Sequence, residues 1–128
     1  MAEKKRVMIS FAIEDKWARD YLVGQGRNDK TPFDFIDMSV KEPWDEKWKT
    51  NCRTRIKGCH GLIALITKNT AKAEGQLWEI QCARDEKIRL VGMYPKKEDR
   101  PTSLPAVLNG VKIIEWDWSD INAFIDSL

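Results

Sequence analysis

The sequence predicts a three-layer α/β domain, a parallel sheet covered by helices on both faces. Short and nearly unbroken apolar runs recur along the chain, as in strands buried on both faces. Each is followed by a segment whose apolar residues fall at helical spacing, the alternation that builds βα units. A chain of 128 residues suits a single domain, read here as residues 1–128, and a domain of that size buries roughly two thirds of its unfolded surface.

The first run, Val7-Met8-Ile9-Ser10-Phe11, reads as a buried central strand. Glu14 and Asp15 then open a helix with Trp17, Ala18, Tyr21 and Leu22 on one face, and Gly24-Gln25-Gly26 is expected to end it. These glycines follow a helix, whereas a dinucleotide-binding loop would precede one. Phe33-Asp34-Phe35-Ile36-Asp37 alternates partly and reads as a second strand nearer an edge, with a polar loop, 38–44, at its carboxyl end. Asp45 is the expected cap of the next helix, whose stripe holds Trp44, Trp48, Cys52 and Ile56, and Gly58 its left-handed stop. Residues 61–67 form the clearest buried strand, and Asn69 or Thr70 is the expected cap of a helix over 73–87.

A fourth strand is expected at 88–94, followed by a long connection with Pro95, Pro101 and Pro105 and a helical turn over 103–108 ending at Asn109-Gly110. Residues 111–116 are the fifth strand, and Ser119 caps a last helix burying Ile121, Phe124, Ile125 and Leu128. Five strands with right-handed crossovers suggest the flavodoxin-like order 2-1-3-4-5. That order puts a switch point between the first and third strands, so the loops after Phe11, Ile36 and Thr67 gather around one crevice.

Composition narrows the function. With 42% hydrophobic and 33% charged residues the chain reads as a globular, cytoplasmic protein, and its start carries no signal-type apolar segment. The longest apolar run is far too short to span a bilayer. Net charge is +2, from 22 basic and 20 acidic residues, which advertises no nucleic-acid partner. Three cysteines without a CxxC pair and one histidine make a zinc site unexpected, and Cys52, Cys59 and Cys82 read as buried free thiols. Six tryptophans exceed what a core of this size needs, so some are expected in a pocket or an interface.

Residues also exclude familiar tenants of such a crevice. The third strand ends Ile66-Thr67 without the aspartate of a phosphate-accepting receiver, and Ser10-Phe11-Ala12-Ile13-Glu14 lacks a hydroxyl-rich flavin phosphate loop. No GxxxxGK[ST] motif occurs. The lone His60 begins a buried strand, which argues against a catalytic triad. What remains is a carboxylate. On helix 73–87, Ala73, Leu77, Ile80 and Ala83 form the expected buried face, with Glu79 at its edge and Gly75 one turn before it. Periodicity by itself reads Glu79 more readily as a solvated helix residue, and Gly75 as part of a frayed first turn, than as a site.

Four segments in order, V-M-I-S-F, D-M-S, G-L-I-A-L-I-T and L-W-E-I-Q-C-A, together resemble the bacterial TIR-like domains of the DUF1863 and Thoeris anti-phage defence type. The resemblance covers nearly the whole chain and implies a TIR-like fold. It also implies cleavage of the nicotinamide glycosidic bond of NAD, with a cyclic ADP-ribose isomer as a diffusible signal to a separate effector. NAD is then the substrate, with no cofactor and no metal. By the resemblance Glu79 matches the catalytic glutamate, Ser10 and Phe11 the pocket wall, and Asp37 and Ser39 the loop that closes on the substrate. Phe11, Trp44 and Trp78 are candidates to stack on nicotinamide or adenine, Trp78 the weakest because helical spacing turns it outward. The chain departs from the family pattern at Gly75, where many relatives carry tryptophan, and at Ala12, where many carry histidine or aspartate. The alternative is a non-catalytic interaction module that self-associates through loop 38–44 and an exposed stripe of Glu74, Trp78 and Cys82.

Overall fold

A computed structural model describes residues 5–28, 33–36, 46–96, 98 and 100–128. The apolar runs form strands β1 (Lys5–Ser10), β2 (Phe33–Ile36), β3 (Gly61–Leu65), β4 (Arg89–Tyr94) and β5 (Ile113–Glu115). Between and after them lie helices α1 (Lys16–Asn28), α2 (Glu46–Lys57), α3 (Glu74–Asp85) and α4 (Trp118–Asp126). Single 3-10 turns cover Ile13–Asp15, Thr70–Lys72 and Ala106–Leu108. Four parallel pairings join the strands in the order β2-β1-β3-β4-β5.

Strand alternation sorts the core onto the two faces of this sheet. Val7, Ile9, Ile63, Leu65, Val91 and Met93 pack with Ala18 and Leu22 of α1 and Ile121 and Ile125 of α4. Met8, Leu62, Ala64 and Ile66 pack instead with Cys52 and Ile56 of α2 and Ile80, Cys82 and Ala83 of α3. Every residue of β3 is buried, which is why its apolar run is unbroken. Gly92 in β4 is a point of close approach, because a Cβ there would lie 2.4 Å from Ile66 Cδ1 and 2.6 Å from Ile113 Cδ1.

Several local expectations are corrected. Helix α1 runs through Gly24 and Gly26 to Asn28. Glycine costs about 1 kcal/mol in a helix, a penalty that the burial of Ala18 and Leu22 against the sheet outweighs. Trp17 and Tyr21 flank the buried stripe and are 44% and 61% exposed. The Lys96 ammonium sits 4.5 Å from the Trp17 ring centroid, and Tyr21 meets Trp116 edge-on at 5.8 Å.

Gly58 is not left-handed. Among the described residues only Lys87, at φ 57°, and Gly110, at φ 78°, have positive φ. Lys87 closes α3, with Ile88 N–H donating to Ala83 O at 2.8 Å and Lys87 N–H to Arg84 O at 3.1 Å, the paired bonds of a Schellman motif. The cap of α4 is Asp117 rather than Ser119, its carboxylate accepting from Ser119 N–H at 2.8 Å. Neither Asn69 nor Thr70 caps α3, whose preceding residue, Ala73, offers no side-chain bond. The expected Asp45 cap lies outside the described residues, as does the rest of the 37–45 segment. Among the described residues no helix is long and apolar enough to cross a membrane.

Candidate functional site

The site lies at the carboxyl ends of β1 and β3, where α3 passes over the sheet. Its central group is Glu79, only 3% exposed. Ser10, the last residue of β1, donates from Oγ to Glu79 Oε1 at 2.7 Å. Cys52 on α2 points its Sγ at the other carboxyl oxygen, Oε2, at 3.8 Å. Three elements therefore enclose one carboxyl group.

Glu79 is thus inside the packed face rather than at its edge. The buried arc of α3 contains Gln76, Glu79, Ile80, Cys82 and Ala83, while Ala73 and Leu77 are only partly buried. An α3 covered by both α2 and the sheet needs a wider stripe than one partner would require. Cys82, placed on an exposed stripe by the interaction-module alternative, is 1% exposed and joins the core, in keeping with its reading as a buried thiol.

Burial sets the electrostatics. Desolvation pushes the Glu79 carboxyl up to about 8, a rise that the hydrogen bonds from Ser10 and Cys52 only partly oppose. Near pH 7 most of the unliganded protein therefore holds Glu79 protonated. Burial, and then the charge of Glu79, pushes the Cys52 thiol well above its ordinary range, so it faces the carboxyl as a neutral S–H donor. A cation brought beside Glu79 would reverse the balance and ionise it.

Gln76, one turn before Glu79 on the same helix, ties the two strand ends together. Its Nε2 donates to Ser10 O at 3.1 Å and to Leu65 O at 2.7 Å. A second network joins the segments that follow β1 and β3. Asp15, 2% exposed, accepts from Thr67 Oγ1 at 2.5 Å and from Asn69 Nδ2 at 3.0 Å. Thr70 Oγ1 in turn accepts from Thr67 N–H at 3.0 Å, so Asn69 and Thr70 serve the loop rather than the helix start.

Of the candidates read from sequence, Ser10 and Glu79 are brought together. Phe11 is not, because it packs with the α1 and α4 side of the sheet, where the Arg19 guanidinium lies 5.3 Å from its ring centroid. Asp37, Ser39 and Trp44 lie outside the described residues. Trp78 is half-buried against α2, with the Arg53 guanidinium 5.5 Å from its ring centroid. It borders a shallow cleft of about 400 Å³ with Lys49, Thr50, Arg53, Thr54 and Lys57.

Sequence reasoning missed Cys52, Gln76, Asp15 and Thr67 as polar partners. Cys52 fell on the correct stripe but was read as an apolar group. A glutamine and a glutamate three apart, on a helix otherwise burying small and apolar residues, was the signal available for Gln76. His60 has a structural part, its Nδ1 accepting from Arg6 N–H at 2.9 Å.

The parallel sheet with α1 and α4 on one face and α2 and α3 on the other is the fold of a TIR domain of known structure. The crystal structure of the TIR domain of the Toll-related receptor TRR-2 from Hydra magnipapillata is similar, with a TM-score of 0.63 at 16% identity, covering 94% of this chain and 91% of that one. More specifically, residues 8–100 match the family described as Thoeris protein ThsB, TIR-like domain, and the chain belongs to that family. The matched stretch contains Ser10, Cys52, Gln76 and Glu79. No curated protein matches the chain.

Proposed function

We propose that this domain cleaves the nicotinamide glycosidic bond of NAD in anti-phage defence, with Glu79 as the catalytic carboxylate. The observation that carries the reading is the enclosed Glu79 carboxyl, held by Ser10 and faced by Cys52 at the ends of β1 and β3. Membership of the Thoeris TIR-like family supports it.

In the reaction the bond between ribose C1 and the pyridinium nitrogen breaks, and its electron pair returns to the ring. Nicotinamide leaves neutral, and positive charge passes to the ribose. One carboxylate beside C1 stabilises that oxocarbenium-like state in a site where water does not screen it. The substrate's own positive charge stabilises the ionised carboxylate, so Glu79 gives up its proton to solvent as the cation binds, and a carboxyl that is neutral at rest becomes charged. Because Glu79 is 3% exposed, substrate reaches it only when the packing above it parts. Capture of the ribosyl cation by water, with loss of a proton, gives ADP-ribose. Capture by a nucleophile within the same molecule gives a cyclic isomer, the product we assign as a diffusible signal to a separate effector.

Ser10 orients the carboxyl, and Asp37, Ser39 and Trp44 are proposed to contact substrate, whereas Phe11 faces the α1 and α4 side of the sheet. The deciding experiment follows nicotinamide release from NAD by the purified native protein and by Glu79→Gln. Release by the native chain that falls at least about 100-fold in the variant, as for loss of one electrostatic stabiliser, is the expected outcome. Undiminished release by Glu79→Gln removes Glu79 from the mechanism.

The enclosure of Glu79 also favours a second reading, a non-catalytic module that signals by self-association with Glu79 as a structural residue. That reading requires no nicotinamide release by the native protein at concentrations where it self-associates in sedimentation experiments.

A further inference from the structure

Beside Glu79 lies a second polar atom without a protein partner. The Gln76 side chain is 1% exposed, and its Oε1 is buried with no hydrogen-bond partner. Its orientation is not interchangeable. Nε2 already donates to two carbonyl oxygens, Ser10 O and Leu65 O. Turning the amide over would set Oε1 against both and lose both bonds. The amide oxygen is therefore held as a fixed acceptor by the ends of β1 and β3.

A buried acceptor left unpaired is costly, and such groups in folded proteins are found paired with a protein group, a water or a ligand. Here the acceptor stands on the same helical face as Glu79, three residues earlier, a spacing that puts Cβ atoms about 5–6 Å apart. One group accepts an N–H or O–H, and the other acquires negative charge when a cation approaches. The ligand class that suits both carries a hydrogen-bond donor and a delocalised positive charge on one small flat ring. A pyridinium carboxamide has both.

We infer that Gln76 Oε1 is the specificity-determining acceptor of the site, taking an N–H of the nicotinamide carboxamide while Glu79 faces the ribosyl-pyridinium bond. This rests on the NAD reading above. The position also explains why a glutamine occupies it, since the same amide must donate to the strand ends and accept from the ligand. Glutamate would lose the donor, and an apolar residue would lose both.

The test compares three dinucleotides on the native protein. NAD and its thionicotinamide analogue both keep the N–H2 group, whereas the 3-acetylpyridine analogue replaces it with methyl and keeps the ring cation. NAD and the thionicotinamide analogue are expected to react alike, with kcat/KM for the acetylpyridine analogue lower by about 10- to 100-fold, as for a buried acceptor left unpaired. In Gln76→Met the gap between NAD and the acetylpyridine analogue should close. If that variant does not fold, the native comparison decides alone. Equal kcat/KM for NAD and the acetylpyridine analogue overturns the Gln76 assignment while leaving NAD cleavage standing, and this includes the case in which a ribose hydroxyl is the donor. No cleavage of any of the three overturns the NAD reading and this inference with it.

Discussion

At the residue scale, the chemistry of Glu79 follows from its burial. Burial pushes its carboxyl up to about 8 in the folded protein, from an ordinary value of 4.5. Below the lower value both folded and unfolded chains are protonated, and the folded state keeps its full stability. Between the two values the unfolded chain gives up the proton while the folded one retains it, so stability falls as pH rises, by an amount on the order of 5 kcal/mol across the window. Glu79→Gln removes this loss. Its melting temperature should match that of the native protein near pH 4 and exceed it at pH 8, measured by thermal unfolding in parallel buffers. Equal pH dependence in the two proteins would contradict the raised carboxyl. The same group sets the rate profile, since kcat/KM reports the free enzyme. Nicotinamide release under kcat/KM conditions should rise between pH 6 and about 8 and then level, and a flat profile there would remove Glu79 as the ionising group.

At the scale of elements, the end of α3 shows how much a helix terminus depends on its neighbours. A side chain at φ 57° is disfavoured by about 1–2 kcal/mol, yet Lys87 adopts this angle because Ile88 N–H and Lys87 N–H reach back to Ala83 O and Arg84 O. Ile88 thereby packs on the α2 and α3 core and feeds directly into β4. Lys87→Gly relieves the backbone strain, partly offset by the greater freedom of glycine in the unfolded chain. The expected gain is about 0.5–1 kcal/mol, read as a higher urea midpoint with an unchanged slope. A lowered midpoint would show that the lysine side chain matters more than its backbone angle.

For the whole molecule, the decisive feature is that the segments after β1 and β3 are tied together beside the site. Thr67 donates to buried Asp15, and Asn69 donates to the same carboxylate. Thr67→Val keeps the shape and removes the hydroxyl, leaving Asp15 and the Asn69 N–H, which bonds to Thr67 Oγ1 at 3.0 Å, short of a partner. A loss of about 1–3 kcal/mol in urea unfolding is expected, and a change below about 0.3 kcal/mol would show that the network is solvated rather than structural.

The α/β class and the parallel sheet were legible because buried strands and amphipathic helices write different periods into a chain. The run at 61–67 and the Ile80 and Ala83 positions could be read directly. The site was legible in part. Ser10 and Glu79 could be named, but the thiol of Cys52 and the amide of Gln76 carry no periodic signature, since a buried polar residue occupies the same positions as an apolar one. Boundaries also shifted where tertiary burial overrode local propensity, as at Gly24 and Gly26 within α1.

By itself, then, the sequence determined the order of strands and helices and the apolar runs of the central strands, because these depend on residue type and spacing alone. Tertiary structure decided that Glu79 is enclosed rather than at an edge, that its carboxyl is neutral at rest, and that Phe11 belongs to the opposite face. Those properties depend on what packs around a residue. Desolvation and hydrogen-bond geometry exist only once Ser10, Cys52 and Glu79, far apart in the chain, have been brought to one place.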